Sequence, residues 1–239
     1  MQRTPVLLNA KQGFFDRLSR WTYLSIGFVD FVELLCYTVN NQKKAGEKMR
    51  LYMIRHGQTT ANLNRVHAGQ ADVPLTDLGW QQAESIRPVL QRIPFDRVYS
   101  SDLTRAIDTQ KAALPGVDGI RTPLLREYDV GSLAGVPIGQ APGDAGKRAA
   151  KARDYTYFGG ENPDMVCARR RVFLKELEAD PCDNVAAFAH GGVLSCMLRI
   201  VLKADIDLNA VSSQNCAIHV FEFDGERWKL LAWNYMSEI

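Results

Sequence analysis

The sequence predicts an α/β fold: a three-layer α/β/α sandwich with a mostly parallel sheet. From Arg50 onward, short apolar segments alternate with longer segments of helical periodicity, which is typical of strands joined by crossover helices. The 239 residues are 46% hydrophobic and 23% charged, a composition that can fill one large core. Turn and capping residues separate the segments, so strand and helix boundaries can be assigned in order.

The first strand and the first long helix are indicated by apolar runs with recognisable ends. Leu51–Ile54 is a short apolar run that ends before a glycine turn at Gly57, which predicts a buried strand. Thr76 is typical of a helix N-cap. It begins a predicted helix that continues to about Gln91 and that Pro88 is expected to kink.

A second strand and helix follow in the same pattern. Arg97–Tyr99 predicts a strand, and Asp102 after it is expected to cap a helix that runs to about Ala113. A further strand is expected to lead into Leu124 and Leu125. These segments add two strands to the predicted sheet.

The later part of the chain contains one long helix and another strand-helix unit. The helix begins at Asn162 or Pro163 and ends near Glu178. Asn184–Ala189 is apolar after its first residue and predicts a strand buried on both faces. Gly192 opens the next predicted helix, which ends at about residue 202.

The last two strands are predicted to form a hairpin. Ala217–Phe223 and Trp228–Trp233 flank Asp224-Gly225, a strong turn signal. Residues 49–239 are therefore predicted to form one domain. Within it, the Gly- and Ala-rich region at about 131–160 is expected to be a short, mobile cap over the binding pocket.

Residues 1–48 are predicted to be a helical extension and a linker outside this domain. Trp21–Val39 is strongly apolar, but Asp30 and Glu33 interrupt it, and each acid at mid-membrane costs about 2.5–3.5 kcal/mol. Integral membrane insertion is therefore not expected. A helix at the membrane interface, a helix docked on the main domain and a dispensable upstream tail all stay open. The polar run Asn40–Lys48 predicts a linker.

Charge and cysteine usage exclude several classes of protein. The formal net charge of +2 gives no polybasic footprint, so nucleic acid is not an expected partner. An odd number of scattered cysteines without a C-x-x-C pair argues against a disulfide framework and a zinc site, and indicates a reducing cytoplasm. We expect them to be small apolar core residues. They are Cys36, Cys167, Cys182, Cys196 and Cys216.

Polar residues follow three of the predicted strands directly. Arg55-His56-Gly57-Gln58-Thr59 follows the first, the run containing Arg105 follows the second, and His190-Gly191-Gly192 follows the strand at 184–189. Ligands of parallel α/β folds bind outside the carboxyl ends of the strands, so these side chains should meet in one crevice. Two arginines and two histidines there would form a cationic pocket suited to a phosphoryl dianion, with glycines that let backbone N–H groups approach.

The run Met53–Asn62, M-I-R-H-G-Q-T-T-A-N, resembles the signature of the histidine phosphatase superfamily, also called the phosphoglycerate-mutase-like family. Every fixed position of that pattern matches, and further matches follow in order over about residues 49–235. They are Leu75-Thr76 with Gly79 and Gln82-Ala83, Ser101-Asp102-Leu103 with Arg105-Ala106 and Thr109, Leu125-Arg126-Glu127 with Gly131 and Gly135, Gly159-Gly160-Glu161, His190-Gly191-Gly192, and Asn234.

The resemblance implies a role for each matched residue. His56 would be the nucleophile that becomes phosphohistidine, with its other ring nitrogen fixed by a backbone carbonyl. Glu127 would protonate the leaving oxygen and then activate water. The groups that would bind the phosphoryl group of a small phosphorylated substrate are Arg55, Gln58, Thr59, Asn62, Arg105, His190 and Gly191. Neither a metal nor another cofactor is implied.

Some of these assignments depend on motif spacing alone. Only the spacing selects Glu127 over other carboxyl groups such as Glu161. His67 either lines the edge of the pocket or is a loop histidine without a role, the interpretation that we favour, and His219 is expected to be a structural residue of the hairpin. The basic run Lys147, Arg148, Lys151 and Arg153 could steer an anionic substrate or simply form a solvated helix face.

Within the family, the sequence favours a phosphomonoester hydrolase. Cofactor-dependent mutases usually carry N-E-R-H-Y-G and a longer insertion after the acidic residue, whereas this chain has R-E-Y-D-V-G over residues 126–131. It therefore resembles the small bacterial-type phosphatases. A phosphoglycerate-mutase-type phosphotransferase is the first alternative, and a non-catalytic phosphate-binding regulatory module is the second. The oligomeric state and the physiological substrate stay open.

Overall fold

The computed structural model describes residues 48–180, 182–204, 206–207 and 210–235. The predicted extension and linker, apart from Lys48, lie outside the described residues, as does Cys36. Six strands form one sheet in the order β3-β2-β4-β1-β5-β6. They are β1 (Met49–Arg55), β2 (Arg97–Ser101), β3 (Ile120–Thr122), β4 (Asn184–Ala189), β5 (Ile218–Phe223) and β6 (Trp228–Tyr235).

Strands β1 to β4 run parallel to one another. In the terminal hairpin, β5 is antiparallel to β1 and β6 is antiparallel to β5. This confirms the predicted mostly parallel α/β sheet. Seven α-helices are assigned among the described residues. They are α1 (Thr60–Leu63), α2 (Asp77–Ser85), α3 (Arg87–Leu90), α4 (Thr104–Ala113), α5 (Gly143–Lys151), α6 (Pro163–Glu178) and α7 (Gly191–Leu202).

The central strands β1 and β4 are buried on both faces, as expected for nearly continuous apolar strands. In β1, Leu51 and Met53 pack in the same core as Phe173 of α6 and Leu194 of α7. On the opposite face, Tyr52 and Ile54 of β1 and Ala186 and Phe188 of β4 are also almost fully buried. Helix α4 contacts β2 and β4. Helices therefore cover both faces of the sheet.

Several predicted helix ends are present, with one change in the middle. The Thr76 hydroxyl accepts a hydrogen bond from the N–H of Gly79 at 3.1 Å and caps α2. Asn162 caps α6 in the same way. The single helix predicted to reach Gln91 is divided at Ile86, and Pro88 lies in the first turn of α3, where its missing N–H is not needed.

One predicted helix cap was wrong. Asp102 does not cap α4, whose N-cap is Leu103 with no side-chain hydrogen bond. The Asp102 carboxylate instead accepts two hydrogen bonds from Arg126, both at 2.7 Å. The strand predicted to lead into Leu124 and Leu125 is present as β3, which ends at Thr122, where a 3₁₀ helix over Pro123–Leu125 begins. Pro123 begins this helix because it cannot donate to a sheet ladder.

Residues 131–160, here called the 131–160 segment, pack against the 65–67 loop. The segment contains helix α5 and short 3₁₀ turns, and it shares a small core with Tyr128 and Val166. Backbone hydrogen bonds of 2.8–2.9 Å join it to Arg65 and His67. Its assignment as a cap stays a prediction. None of the helices in the described ranges is both long and apolar enough to cross a membrane.

Candidate active site

A cavity of about 750 Å³ opens at the carboxyl ends of the parallel strands. The residues predicted to bind phosphate that line it are Arg55, His56, Thr59, Asn62, Arg105 and Gly191, together with Glu127. The 131–160 segment supplies part of the wall. A separate groove of about 520 Å³ between α6, α7 and β6 contains none of the predicted site residues.

The structure brings His56 and His190 side by side. The parallel register pairs Arg55 with Ala189, so the two following residues lie at the same level of the sheet. The N–H of His56 donates to the carbonyl of Ala189 at 3.0 Å. The centroids of the two imidazole rings are 5.1 Å apart. One phosphoryl group can therefore contact both rings.

His56 has the tautomer and charge that a nucleophile needs. Its Nδ1 lies 2.8 Å from the carbonyl oxygen of Gly57, and because a carbonyl only accepts, Nδ1 carries the proton. Nε2 then keeps its lone pair. Burial, followed by the charges of Arg105 and Arg55, holds the pKa of His56 well below its usual value. The ring is therefore neutral near pH 7.

His190 is fully buried, and neither of its ring nitrogens has a hydrogen-bond partner among the described residues. Burial is the main cause that lowers its pKa, and the charge of Arg105 adds to it. An unpaired polar group in a low-dielectric site costs stability, which is why such groups need an explanation. A ligand oxygen bound here would supply the missing partner.

The two arginines that line the cavity are both held by backbone carbonyls. Arg105 is 1% exposed, and its terminal nitrogens donate to the carbonyls of Ala71 and Gly69 at 2.9 and 2.7 Å. Burial lowers the pKa of Arg105 to about 10, which still leaves it charged at neutral pH. Arg55 donates to the carbonyl of Ser213. Both side chains are thereby fixed before any anion binds.

Glu127 is held by backbone donors at the edge of the cavity. One carboxylate oxygen accepts from the N–H of Tyr128 at 2.9 Å, and the other accepts from the N–H of Gly192 at 3.0 Å. The backbone carbonyl of Glu127 accepts from Gln70 at 3.1 Å and from Arg169 at 3.3 Å. Hydrogen bonds thus hold both the side chain and the backbone of Glu127.

The remaining predicted residues differ in their positions. The Asn62 side-chain oxygen accepts from the N–H and hydroxyl of Thr59, at 3.1 and 3.0 Å, which leaves the Asn62 amide nitrogen available to donate. The Gln58 side chain does not line the cavity, because its oxygen accepts from the Thr76 hydroxyl at 2.9 Å. His67 does line the cavity, where its ring lies against Tyr155.

Sequence reasoning missed the loop before β5. Asn215 donates to the carbonyl of His56 at 2.9 Å, and the neighbouring Ser213 carbonyl accepts from Arg55. His219 holds this loop through a 2.9 Å hydrogen bond to the Ser213 hydroxyl, and burial lowers its pKa to about 3. A short polar run before an apolar strand was the one available signal.

This combination of fold and site defines an α/β protein that is built to bind a phosphoryl group. Within the described residues, no cluster of three His, Cys, Asp or Glu side chains is arranged to hold a metal ion. The sequence matches the model of the histidine phosphatase superfamily (branch 1) over residues 51–236. The chain therefore belongs to the histidine phosphatase superfamily.

Similar proteins include several phosphatases. The chain is 32% identical to glucosyl-3-phosphoglycerate phosphatase of Mycobacterium tuberculosis, over 80% of this chain and 96% of that protein. It is 34% identical to adenosylcobalamin/alpha-ribazole phosphatase of Salmonella typhimurium, over 64% and 80%. A structure of the mycobacterial enzyme with inorganic phosphate matches with a TM-score of 0.68 and 32% identity, over 80% of this chain and 99% of that one. The chain is a phosphatase of this superfamily.

Proposed function

We propose that the enzyme hydrolyses phosphomonoesters of small metabolites through a phosphohistidine at Nε2 of His56. The observation that carries the proposal is the neutral, oriented imidazole of His56, which lines the cavity together with the two fixed arginines and whose ring centroid lies 5.1 Å from that of His190. Phosphoryl transfer depends mostly on positioning and electrostatic stabilisation, and this arrangement supplies both.

The reaction has two displacements. Nε2 of His56 attacks the phosphorus atom, the P–O bond to the leaving group breaks, and protonated Glu127 gives its proton to the leaving oxygen. In the second step, Glu127 takes a proton from water, the water oxygen bonds to phosphorus, and the P–N bond breaks. Arg55, Arg105 and His190 bind the phosphoryl oxygens throughout. Inorganic phosphate leaves with the enzyme unchanged.

The similar proteins support the substrate class. Both relatives described above are named as phosphatases of small phosphorylated metabolites, and the matches cover 96% and 80% of their lengths. The described cysteines are buried thiols, which supports the cytoplasm as the compartment. Activity should survive EDTA, since no step requires a metal.

Labelling with substrate phosphate tests this mechanism. The wild-type enzyme should release phosphate from p-nitrophenyl phosphate and carry an acid-labile, alkali-stable label. His56→Ala should show neither. Glu127→Gln should still become labelled, because p-nitrophenolate leaves without a proton, but its label should persist because water is no longer activated. A fully labelled His56→Ala protein would refute the mechanism, and exchange of phosphate between positions of phosphoglycerate would favour a mutase.

A further inference from the structure

Two cysteines outside the proposed reaction join a surface groove to the wall of the active-site cavity. Cys167 of α6 is 2% exposed and lines the groove of about 520 Å³, whereas Cys196 of α7 is fully buried and does not line it. Both thiols belong to the small core that contains Tyr128, and Tyr128 lines the cavity. The Cys196 Sγ lies 3.3 Å from the Tyr128 hydroxyl oxygen, so the pair is in direct contact with the cavity wall.

The two thiols face each other across the interface between α6 and α7. The Cys196 Sγ lies 3.9 Å from the carbonyl oxygen of Pro163, which is four residues before Cys167 in α6. Because a helical side chain leans toward the preceding turn, the Cys167 Sγ is directed to the same place. The two side chains hydrogen bond to each other, which lowers the pKa of Cys167 and raises the pKa of Cys196. Cys196 is therefore the donor, and Cys167 is the more acidic thiol.

Neighbouring cations and access from the groove make Cys167 the reactive member of the pair. Arg199 of α7 and Arg171, one turn later on α6, line the groove with Cys167, and their charges lower its pKa further against the effect of burial. Arg199 is also held by an ion pair with Asp164 at 3.6 Å. The thiolate is the nucleophilic form of cysteine, and a thiolate near arginines that a small oxidant can reach is typical of redox-sensitive sites.

We propose that hydrogen peroxide converts Cys167 and Cys196 to a disulfide and that this disulfide slows turnover at the active site through Tyr128. Packed helices lie about 8–10 Å apart, and each Cα atom lies about 2.3 Å from its helix axis. Facing cysteines therefore reach the Cα separation of about 4.4–6.8 Å that a disulfide needs. In the cytoplasm, the compartment proposed above, disulfides are usually transient and redox-sensing. The effect on turnover rests on the proposed hydrolase function, whereas the disulfide itself does not.

The oxidation proceeds in two balanced steps. The Cys167 thiolate attacks one oxygen of hydrogen peroxide, an S–O bond forms and the O–O bond breaks, and the departing hydroxide becomes water by taking up the proton that the thiol released. The Cys196 sulfur then attacks the Cys167 sulfur, the S–S bond forms and the S–O bond breaks. The hydroxyl group leaves with the Cys196 proton as a second water. The two thiols lose two electrons in total, and the peroxide gains them.

The disulfide acts on the active site because Tyr128 connects Cys196 to Glu127. The Tyr128 N–H donates to the Glu127 carboxylate at 2.9 Å. The Tyr128 ring lies against Gly192, whose N–H holds the other carboxylate oxygen. An S–S bond of about 2.05 Å draws the Cys196 Sγ toward Cys167 and so disturbs its hydrogen bond with the buried Tyr128 hydroxyl. We expect the Tyr128 ring to shift and to displace Glu127 with it.

Peroxide treatment of the folded enzyme tests the proposal. Alkylation after unfolding, followed by peptide mapping, should find a Cys167–Cys196 linkage whose mass is lower than that of the two thiols by two hydrogen atoms. Steady-state hydrolysis of p-nitrophenyl phosphate should fall by about 10-fold, less than the roughly 10²-fold that a misplacement of about 1 Å can cause, because Tyr128 transmits the shift indirectly. The first-turnover release of p-nitrophenolate should persist, since that step does not need the Glu127 proton. Dithiothreitol should restore full turnover.

Serine substitutions at single cysteines provide the controls. Cys167→Ser and Cys196→Ser should keep the turnover of the wild-type enzyme before treatment, because a hydroxyl replaces the thiol in each hydrogen bond, and should not lose it on treatment. Cys182→Ser is the matched control. Cys182 is also buried but lines neither the groove nor the cavity, and burial raises its pKa to about 11, which makes it unreactive. Cys182→Ser should therefore lose turnover on treatment as the wild type does.

Three results would overturn the proposal. They are a peroxide-treated protein without the Cys167–Cys196 linkage, a linked protein with unchanged turnover, and a loss of turnover in Cys167→Ser equal to that of the wild type. The hydrolase function would stand in each case, because the untreated enzyme would still release phosphate. A protein that forms the linkage but is inactive toward p-nitrophenyl phosphate before treatment would instead refute the hydrolase function and the effect on turnover, with the disulfide itself established.

Discussion

Gly192→Ala should displace Glu127, the proposed acid-base residue, without touching the groups proposed to bind phosphate. A Cβ at Gly192 would lie 2.2 Å from a carboxylate oxygen of Glu127 and 2.6 Å from the ring of Tyr128. Real Cβ atoms essentially never approach another atom below 3.0 Å, so the oxygen must move by 0.8 Å or more (3.0 minus 2.2). A misplacement of about 1 Å can cost about 10²-fold in rate.

The loss should depend on the leaving group. An alkyl phosphate needs a proton from Glu127, whereas p-nitrophenolate leaves without one. We therefore expect Gly192→Ala to lower kcat by about 10²-fold for glycerol 3-phosphate and by less than about 10-fold for the single-turnover release of p-nitrophenolate. Rapid-quench and steady-state assays on both esters measure the difference.

Gly191→Ala is the matched control. It lies one position earlier in the same helix turn, and the nearest atom to its added Cβ is Arg55 Cζ at 3.5 Å, an ordinary van der Waals distance. Because alanine keeps the backbone N–H through which Gly191 would bind phosphate, the kcat of Gly191→Ala should stay within about threefold of wild type. If both variants lose equal activity, or if the Gly192→Ala loss is the same for both esters, the assignment of Glu127 as a positioned acid is wrong. Thermal unfolding would identify a variant that simply fails to fold.

Three further predictions concern charge and acidity. Arg105→Lys should lower kcat by about 10²-fold or more, because lysine lacks the planar guanidinium group that donates to two carbonyls and still faces the cavity. A kcat within threefold of wild type would contradict this role of Arg105. Asp102→Asn should reduce the free energy of unfolding in urea by about 1 kcal/mol at most, since Arg126 is 40% exposed, and a larger loss would mean a more central role. The buried histidines His56, His190 and His219 have lowered pKa values in the folded state, so below about pH 6.5 the unfolded chain binds protons that the folded one does not. Each should then remove up to about 1.4 kcal/mol of stability per pH unit on acidification. Equal urea midpoints at pH 7.5 and 5.5 would contradict this.

The convergence of His56 and His190 followed from sequence order because neighbouring parallel strands end at the same edge of a sheet. Local signals were similarly sufficient for the Thr76 cap, where the hydroxyl bonds a backbone N–H three residues away. Asp102 looked equally suited to cap a helix. It binds Arg126 instead, and that pairing is set by a contact between residues 24 positions apart.

Several contacts that complete the site join residues distant in sequence, and no local sequence pattern predicts them. The N–H of Gly192 that orients Glu127 is a backbone atom, so no residue type reveals it. Arg170 is fully buried and donates to the carbonyl of Arg126, although a helix arginine is usually exposed. Gln58 shows the opposite error, since a residue within a matching motif turns away from the cavity toward Thr76.

The loop before β5 has a consequence for how the enzyme matures. The backbone carbonyl of His56 is bonded by Asn215, and Arg55 by Ser213, residues that lie more than 150 positions further along the chain. The ribosome therefore synthesises His56, the proposed nucleophile, long before the residues that support it. In a nascent chain these hydrogen bonds to His56 and Arg55 cannot yet form. Activity should therefore appear late and abruptly during synthesis, once the final hairpin has docked.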